Sequence, residues 1–349
     1  MAVKGLLVIG MILQIVPGLI YLERKISAFI QGRIGPNRVG PFGLLQPVAD
    51  AVKLLFKEEI IPRDADKVLY LLAPMLAFLA PALAFAFIPF GAKIETATDV
   101  IDMRIVPAPI GLLMLLSISS LGVYGVALGG WASNSKYPLM GSIRASAQMV
   151  SYSVAMGLAL VAVVATVGSV DLQDYIAYQA QPLFHSGNPI LDLIPNWLVF
   201  RQPVALIIFL VAMFAENNRL PFDLSEAEPE LGAGYHAEYT GMKFAMFFLG
   251  EYVAMISMSG LFVTLFLGGW SLPQVCQPIA GTADVVGWIP GIISMVVFLT
   301  KLMLVLCFYM WVRWTLPRFR YDQLMRLGWK MLIPAGIANL FVTGVMLAL

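Results

Sequence analysis

Glu216, Asp223, Glu226, Glu228, Glu230 and Glu238 crowd one connection between two strongly apolar stretches. Charge beside hydrocarbon is costly, so acids kept there point to function rather than to simple crossing. Glu226, Glu228 and Glu230 alternate: on a strand they would share a face, and in a loop they would line a wet cleft. Crowded carboxylates cannot all ionise cheaply, so the group suits holding and releasing protons near neutrality. A solvated acidic loop that docks a basic partner has the same composition, and the residues alone leave both readings open.

Glu251 lies inside the apolar run around Phe247-Phe248-Leu249-Gly250, and Lys301 lies inside a later one. Each needs a partner, a water-filled cavity or neutralisation. They either pair as a bridge between helices or belong to a polar track leading inward from the acidic connection. Hydroxyls of Tyr124, Ser151, Tyr152 and Ser153 would extend such a track.

Metal chemistry finds no support. The cysteines are Cys276 and Cys307, the histidines His185 and His236, and no spacing resembles a zinc or iron–sulfur site. Cys307 sits in an apolar run, which argues against a disulfide. No residue is assigned a direct catalytic role, so any redox centre the chain serves belongs to another chain or to a diffusible molecule. Gly232-Ala233-Gly234-Tyr235-His236-Ala237 formally matches a dinucleotide fingerprint, but no strand precedes it. His236 reads as a hydrogen-bonded loop histidine.

The elements that must position these groups follow from composition. The chain has 349 residues, 60% hydrophobic and only 12% charged, with a mean hydropathy of +0.84. A soluble domain carries roughly 25% charged residues, so this is an all-α integral membrane protein. Net charge is +1, and no basic stripe suits nucleic acid. Eight spans are read in a single membrane domain: about 3–23, 69–90, 106–130, 147–168, 200–216, 243–269, 285–312 and 331–349. The first reads as a retained span rather than a signal peptide. Lys and Arg concentrate in the odd-numbered loops; the even side has Lys4, Lys93, Arg104 and Arg201. The positive-inside rule makes the odd loops cytoplasmic, or matrix-facing in an organelle, with both termini opposite.

In the first loop Leu44, Val48, Val52 and Leu55 recur at helical spacing, with Asp50, Lys53 and Lys57 on other faces. This predicts an amphipathic helix at the interface. Before it, Gly32-Arg33 and Gly35-Pro36-Asn37-Arg38-Val39-Gly40-Pro41 set tight turns among arginines. The run lacks the Gly-Lys-Ser/Thr ending of a nucleotide loop. It suits a lipid headgroup contact or a rigid docking surface. A groove between the amphipathic helix and the first span would admit a lipid-like ligand. Arg313 to Arg326 interleaves arginine with aromatics, as an interfacial anchor or a protein interface does.

These segments resemble a known family, the quinone-site membrane subunit of respiratory complex I (the H-type subunit of bacteria, mitochondrial subunit 1). The resemblance rests on Leu22-Glu23-Arg24-Lys25, the run from Gly35 to Leu54, and Gly130-Trp131-Ala132-Ser133-Asn134. Pro221 to Gly234, Glu238-Tyr239, Gly250-Glu251-Tyr252 and Leu316 to Met325 carry the second half. It implies a non-redox subunit of a proton-pumping NADH:quinone oxidoreductase, in the bacterial inner membrane or the mitochondrial inner membrane. Partners would be the other membrane-arm and peripheral-arm subunits, quinone and lipid, with iron–sulfur clusters and flavin on partner subunits. Arg24, Arg33, Asp50 and Lys53 would shape the quinone entrance. Glu216, Asp223, Glu226, Glu228, Glu230 and Glu251 would form the proton-coupling route, with Lys301, Arg313 and Arg318 balancing charge. The matching subunit of a membrane-bound hydrogenase or ferredoxin-driven pump is the alternative; a stand-alone antiporter fits the docking-rich loops less well. One departure stands out. The family usually reads Ser-Tyr-Glu in the fourth span, where this chain has Ser151-Tyr152-Ser153. Pro229 also replaces a small polar residue, which stiffens the acidic loop.

Overall fold

The computed structural model describes residues 2–95, 100–183, 195–225, 232, 234–272 and 285–348. Backbone polar groups have no water partners in hydrocarbon, so a chain this apolar satisfies them within helices. The helices are α1 (Ala2–Ile30), α2 (Gln46–Leu55), α3 (Lys67–Phe85), α4 (Gly111–Ser120), α5 (Gly122–Ala132), α6 (Lys136–Val167) and α7 (Leu172–Gln179). After these come α8 (Leu198–Arg201), α9 (Pro203–Glu216), α10 (Gly241–Phe266), α11 (Trp288–Thr315), α12 (Tyr321–Arg326) and α13 (Ile333–Ala348). A π-helical stretch, Leu327–Leu332, joins the last two into one 28-residue rod.

Six helical segments among the described residues are long and apolar enough to cross a membrane: α3, α4 with α5, α6, α10, α11, and the final rod. The expected first span lies within the 29-residue α1. The expected fifth is α9, whose 14 residues extend about 21 Å, short of a core of about 30 Å. It is shortened because Gln202 leaves helical geometry between α8 and Pro203. The fourth helix begins well before residue 147, from Ser135, with Pro138 in its first turn. It ends at Gly168, whose φ of 79° suits a left-handed cap. α2 occupies the place expected for the amphipathic helix, with Val48, Val52 and Leu55 exposed.

Connections alternate between two ends. At one end the first, third, fifth and seventh loops touch: Asn134 donates to Asp64 O, Asp66 N–H to Ala132 O, and Phe319 N–H to Pro221 O. At the other, a small sheet of order β2-β1-β3 joins β1 (Lys93–Glu95), β2 (Val100–Ile101) and β3 (Val285–Val286). The β1–β2 pair is antiparallel with Ile94 opposite Ile101, and β1–β3 is parallel with Ile94 opposite Val286. There Arg104 bridges Asp102 and Asp171 at 3.0 and 3.1 Å.

α10 is the central post, packed by α3, α11, α2 and α7. α3 approaches it and α5 through glycine: a Cβ on Gly250 would stand 2.5 Å from Ala77 O, and one on Gly125 2.6 Å from Ala77 N. Gly250→Ala is therefore expected to destabilise by about 1–3 kcal/mol through overpacking. Gly157→Ala, where nothing lies within 4 Å of the added carbon, is expected to be silent. Thermal unfolding of the two variants in detergent checks the contrast.

Candidate functional site

The site forms where the fifth loop folds back against α1, α10 and α11. Gln148 of α6 fixes both ends of that fold: its Nε2 donates to Ala215 O and to Phe222 O, each at 2.7 Å. The Ala215 carbonyl belongs to the last turn of α9, where its backbone donor Asn218 N–H is a long 3.4 Å away. Phe222 packs between the rings of Tyr152 and Phe319. Held this way, Arg219 points inward and is buried.

Its guanidinium joins two carboxylates. Nε lies 2.6 Å from Glu251 Oε1 and Nη1 3.3 Å from Glu23 Oε1. Glu23 also accepts from Tyr252 OH at 2.5 Å and pairs with Arg313. The Arg219 guanidinium sits 4.6 Å from the Tyr252 ring centre, a cation–π distance. Beside this cluster Arg318 donates to Asp223 at 2.9 Å. Burial raises the Asp223 carboxyl above its ordinary range, against the pull of Arg318, Arg219 and Arg313.

Three spaces meet around these groups. An apolar groove of about 540 Å³ runs between α1, α2 and the start of α10, lined by Arg24, Asp50, Lys53, Leu54, Phe244 and Phe248 among others. A chamber of about 600 Å³ is lined by Glu23, Arg24, Arg33, Arg219, Glu251 and Arg313. Ile20, Arg24 and Phe248 border both. Deeper in, a cavity of about 60 Å³ is bordered by Glu251, Glu216, Asn218, Ser225 and Tyr235. Glu251 borders both chamber and cavity. Glu216 Oε2 and Ser225 Oγ are buried without a hydrogen-bond partner among the described residues. The rest of its lining is largely apolar, but the space is large enough for water to reach these polar groups.

The structure thus brings together Arg24, Arg33, Asp50 and Lys53 along groove and chamber, with Arg24 Nη1 2.6 Å from Asp50 Oδ2. It brings Glu251 and Arg313 into the cluster and the Asp223–Arg318 pair beside it, with Glu216 on the wall of the cavity that Glu251 also borders. Glu226, Glu228 and Glu230 lie outside the described residues. Lys301 is elsewhere: it neither pairs with Glu251 nor balances the cluster. Its ammonium donates to the carbonyls of Leu267, Gly269 and Ser271 at 2.7, 2.9 and 2.6 Å, over the Trp197 ring. It caps the C-terminal end of α10, where a cation is favoured. Tyr124 is exposed and takes no part in a polar track. Ser153 stands beside Glu216, and its hydroxyl donates to Met149 O of its own helix at 2.8 Å. Glu23, Arg219 and Tyr252 were not singled out by sequence. Glu23 opens a charged triplet that resembles a span end, but α1 continues to Ile30.

A family profile described as NADH dehydrogenase matches residues 3–344. The chain belongs to that family. It is 47% identical over 346 residues to the NADH-quinone oxidoreductase H-subunit 1 of Geobacter metallireducens, covering 99% of this chain and 96% of the relative. The corresponding H-subunit of Syntrophotalea carbinolica is 48% identical, covering 97% and 93%. H-subunit 1 of Cytophaga hutchinsonii is 45% identical, covering 93% and 90%. Every residue of the cluster lies within the family match, and the relatives named are subunits of NADH-quinone oxidoreductase, an enzyme complex.

Arg219→Leu leaves two buried carboxylates without their shared cation, and is expected to cost about 3–5 kcal/mol. Denaturant unfolding should show it, and Arg219→Leu with Glu251→Leu should recover part of the loss. His236 is half-buried between the rings of Tyr235 and Phe244, and this desolvation lowers its pKa from 6.5 to about 4. Between those values the unfolded chain binds a proton that the folded chain does not, so this group's contribution falls as pH drops from 6.5 toward 4. His236→Gln should shrink the difference in melting temperature between pH 7 and pH 4.5.

Proposed function

We propose that the chain is the membrane subunit through which a quinone reaches its reduction site in a proton-pumping NADH:quinone oxidoreductase, and that its buried acids couple this step to proton movement. The observation that carries the reading is the succession of spaces: apolar groove, charged chamber, then a small cavity bordered by two buried acids, with Arg24 at the first junction and Glu251 at the second. A quinone has an apolar tail and a polar head. The groove between α1 and α2 offers the tail a path from the bilayer, and the arginines of the chamber offer the head hydrogen-bond donors.

Reduction to quinol adds two electrons, supplied by partner subunits, and takes up two protons. Charge arriving in the chamber acts on Glu23 and Glu251, which share Arg219. In a low-dielectric space each group's protonation depends on its neighbours'. A proton leaving Glu251 on the cavity side meets water, then Glu216 with Ser153 beside it. The serine hydroxyl takes the place of the family's usual carboxylate as a relay, so the route runs with one acid fewer. The arginine-rich first and seventh loops then face the cytoplasm and the electron-carrying arm, in the bacterial inner membrane.

Glu216→Gln keeps shape and hydrogen bonding but cannot carry a proton. In the assembled enzyme it is expected to lower coupled proton pumping at least about tenfold, short of the ~10²-fold typical of a positioned proton donor. Full pumping with normal quinone reduction in this variant would remove the assignment. Quinone extracted from the purified complex would exclude the hydrogenase-type alternative.

A further inference from the structure

Three near-consecutive residues at the start of α10 are committed to holding a different segment. Thr240 stands at the N-cap position, where a threonine normally accepts from its own helix. It makes no such bond; its Oγ1 accepts from Ile60 N–H at 3.0 Å. Gly241 has φ 58°, and a Cβ there would stand 3.1 Å from Glu59 Cγ and 3.3 Å from Lys57 O. Glycine both permits this conformation and lets the loop after α2 lie against the helix start. Lys243 places a buried ammonium in a first helical turn, where the helix dipole opposes a cation. Its Nζ is 2.8 Å from Glu59 Oε2. Behind it the Tyr70 and Tyr239 rings stack at 4.1 Å, and Tyr70 OH donates to Glu238 O, so the receiving surface is firm.

The segment held is the outer wall of the apolar groove. Within α2 only Pro47 is buried, so packing does little to fix this helix. Its polar ties are Arg24–Asp50 toward α1 and the Glu59 contacts toward α10. The groove lies between these two fastenings, and Lys57, Thr240 and Gly241 belong to its lining.

We propose that Glu59 with Thr240, Gly241 and Lys243 forms a clasp that fixes α2 against α10, sets the aperture of the groove and thereby selects quinones by tail. The selection rests on the reading of the groove as the quinone entrance; the clasp itself does not. These are positioning residues. The ion pair is half-exposed at Glu59, so it acts as an adjustable strut rather than as a pillar of the fold.

The test uses the assembled enzyme in liposomes, with Glu59→Gln, Lys243→Met and the exchanged pair Glu59→Lys with Lys243→Glu. Substrates are a quinone with ten isoprene units and one with a single unit. Opening the clasp is expected to lower the ratio of kcat/KM for long over short tail about two- to fivefold, the factor an ion pair of this exposure can carry. The kcat for the short-tailed quinone should stay unchanged, and the exchanged pair should restore the ratio. A separate readout is the distance distribution between spin labels at Val52 and Val68, both exposed, in a Cys276→Ser, Cys307→Ser background. It should broaden in Glu59→Gln. An unchanged distribution overturns the clasp. A broadened distribution with an unchanged tail ratio overturns the selection and moves the entrance away from this groove. A Thr240→Val variant, which loses only the Ile60 bond, gives a milder change of the same sign if the clasp is right.

Discussion

The arrangement of the site depends on one buried guanidinium. Arg219 is the cation that allows Glu23 of α1 and Glu251 of α10 to face each other in a low-dielectric interior. Each acid alone would be expelled or neutralised. A loop that must deliver this cation cannot remain on the surface, which is why Gln148 ties down Ala215 and Phe222 and why aromatic rings seal the fold-back. Arg313 of α11 and Tyr252 of α10 complete the ligation of Glu23. Arginine suits the position better than lysine, because its planar fork serves two carboxylates at once.

What the sequence reveals of this is uneven, for physical reasons. Glu251 is legible because an acid in a long apolar run has no innocuous location. Lys301 is legible for the same reason, but its partners are backbone carbonyls, which leave no trace in the side-chain alphabet. Arg219 stands in a polar segment and looks like one more cytoplasmic charge; only its inward fold distinguishes it. Glu23 is hidden by its neighbours, since Glu-Arg-Lys reads as the edge of the membrane while α1 runs on for about two more turns. α2 is legible because its apolar residues keep helical spacing, and it stays largely unburied, as an interfacial helix should. The small sheet is not legible: two- and three-residue strands carry too little alternation to register.

The π-helical stretch before α13 also belongs to the site. A π turn widens the helix and redirects the turns after it. Here it sets Gly328 against the Tyr152 ring and lets Trp329 donate to Ser151 Oγ at 3.2 Å, while Tyr152 OH donates to Leu324 O. The last rod is thereby fastened to α6 at the level of Ser151-Tyr152-Ser153. Two of the three residues of that motif are occupied in holding helices together, which leaves Ser153 alone facing Glu216.

That division bears on the serine that stands where the resemblance leads one to expect a carboxylate. A carboxylate at 153 would place a second acid beside Glu216, at a cavity whose lining includes no lysine or arginine. With serine, Glu216 has a neutral neighbour able to accept or donate, and its remaining lone pairs face a cavity wide enough for water. A proton path needs hydrogen-bonding groups in sequence, not a carboxylate at each step. On the route proposed above, charge is required only where the path must respond to the chamber, and Glu251, bordering both spaces, is placed to supply it.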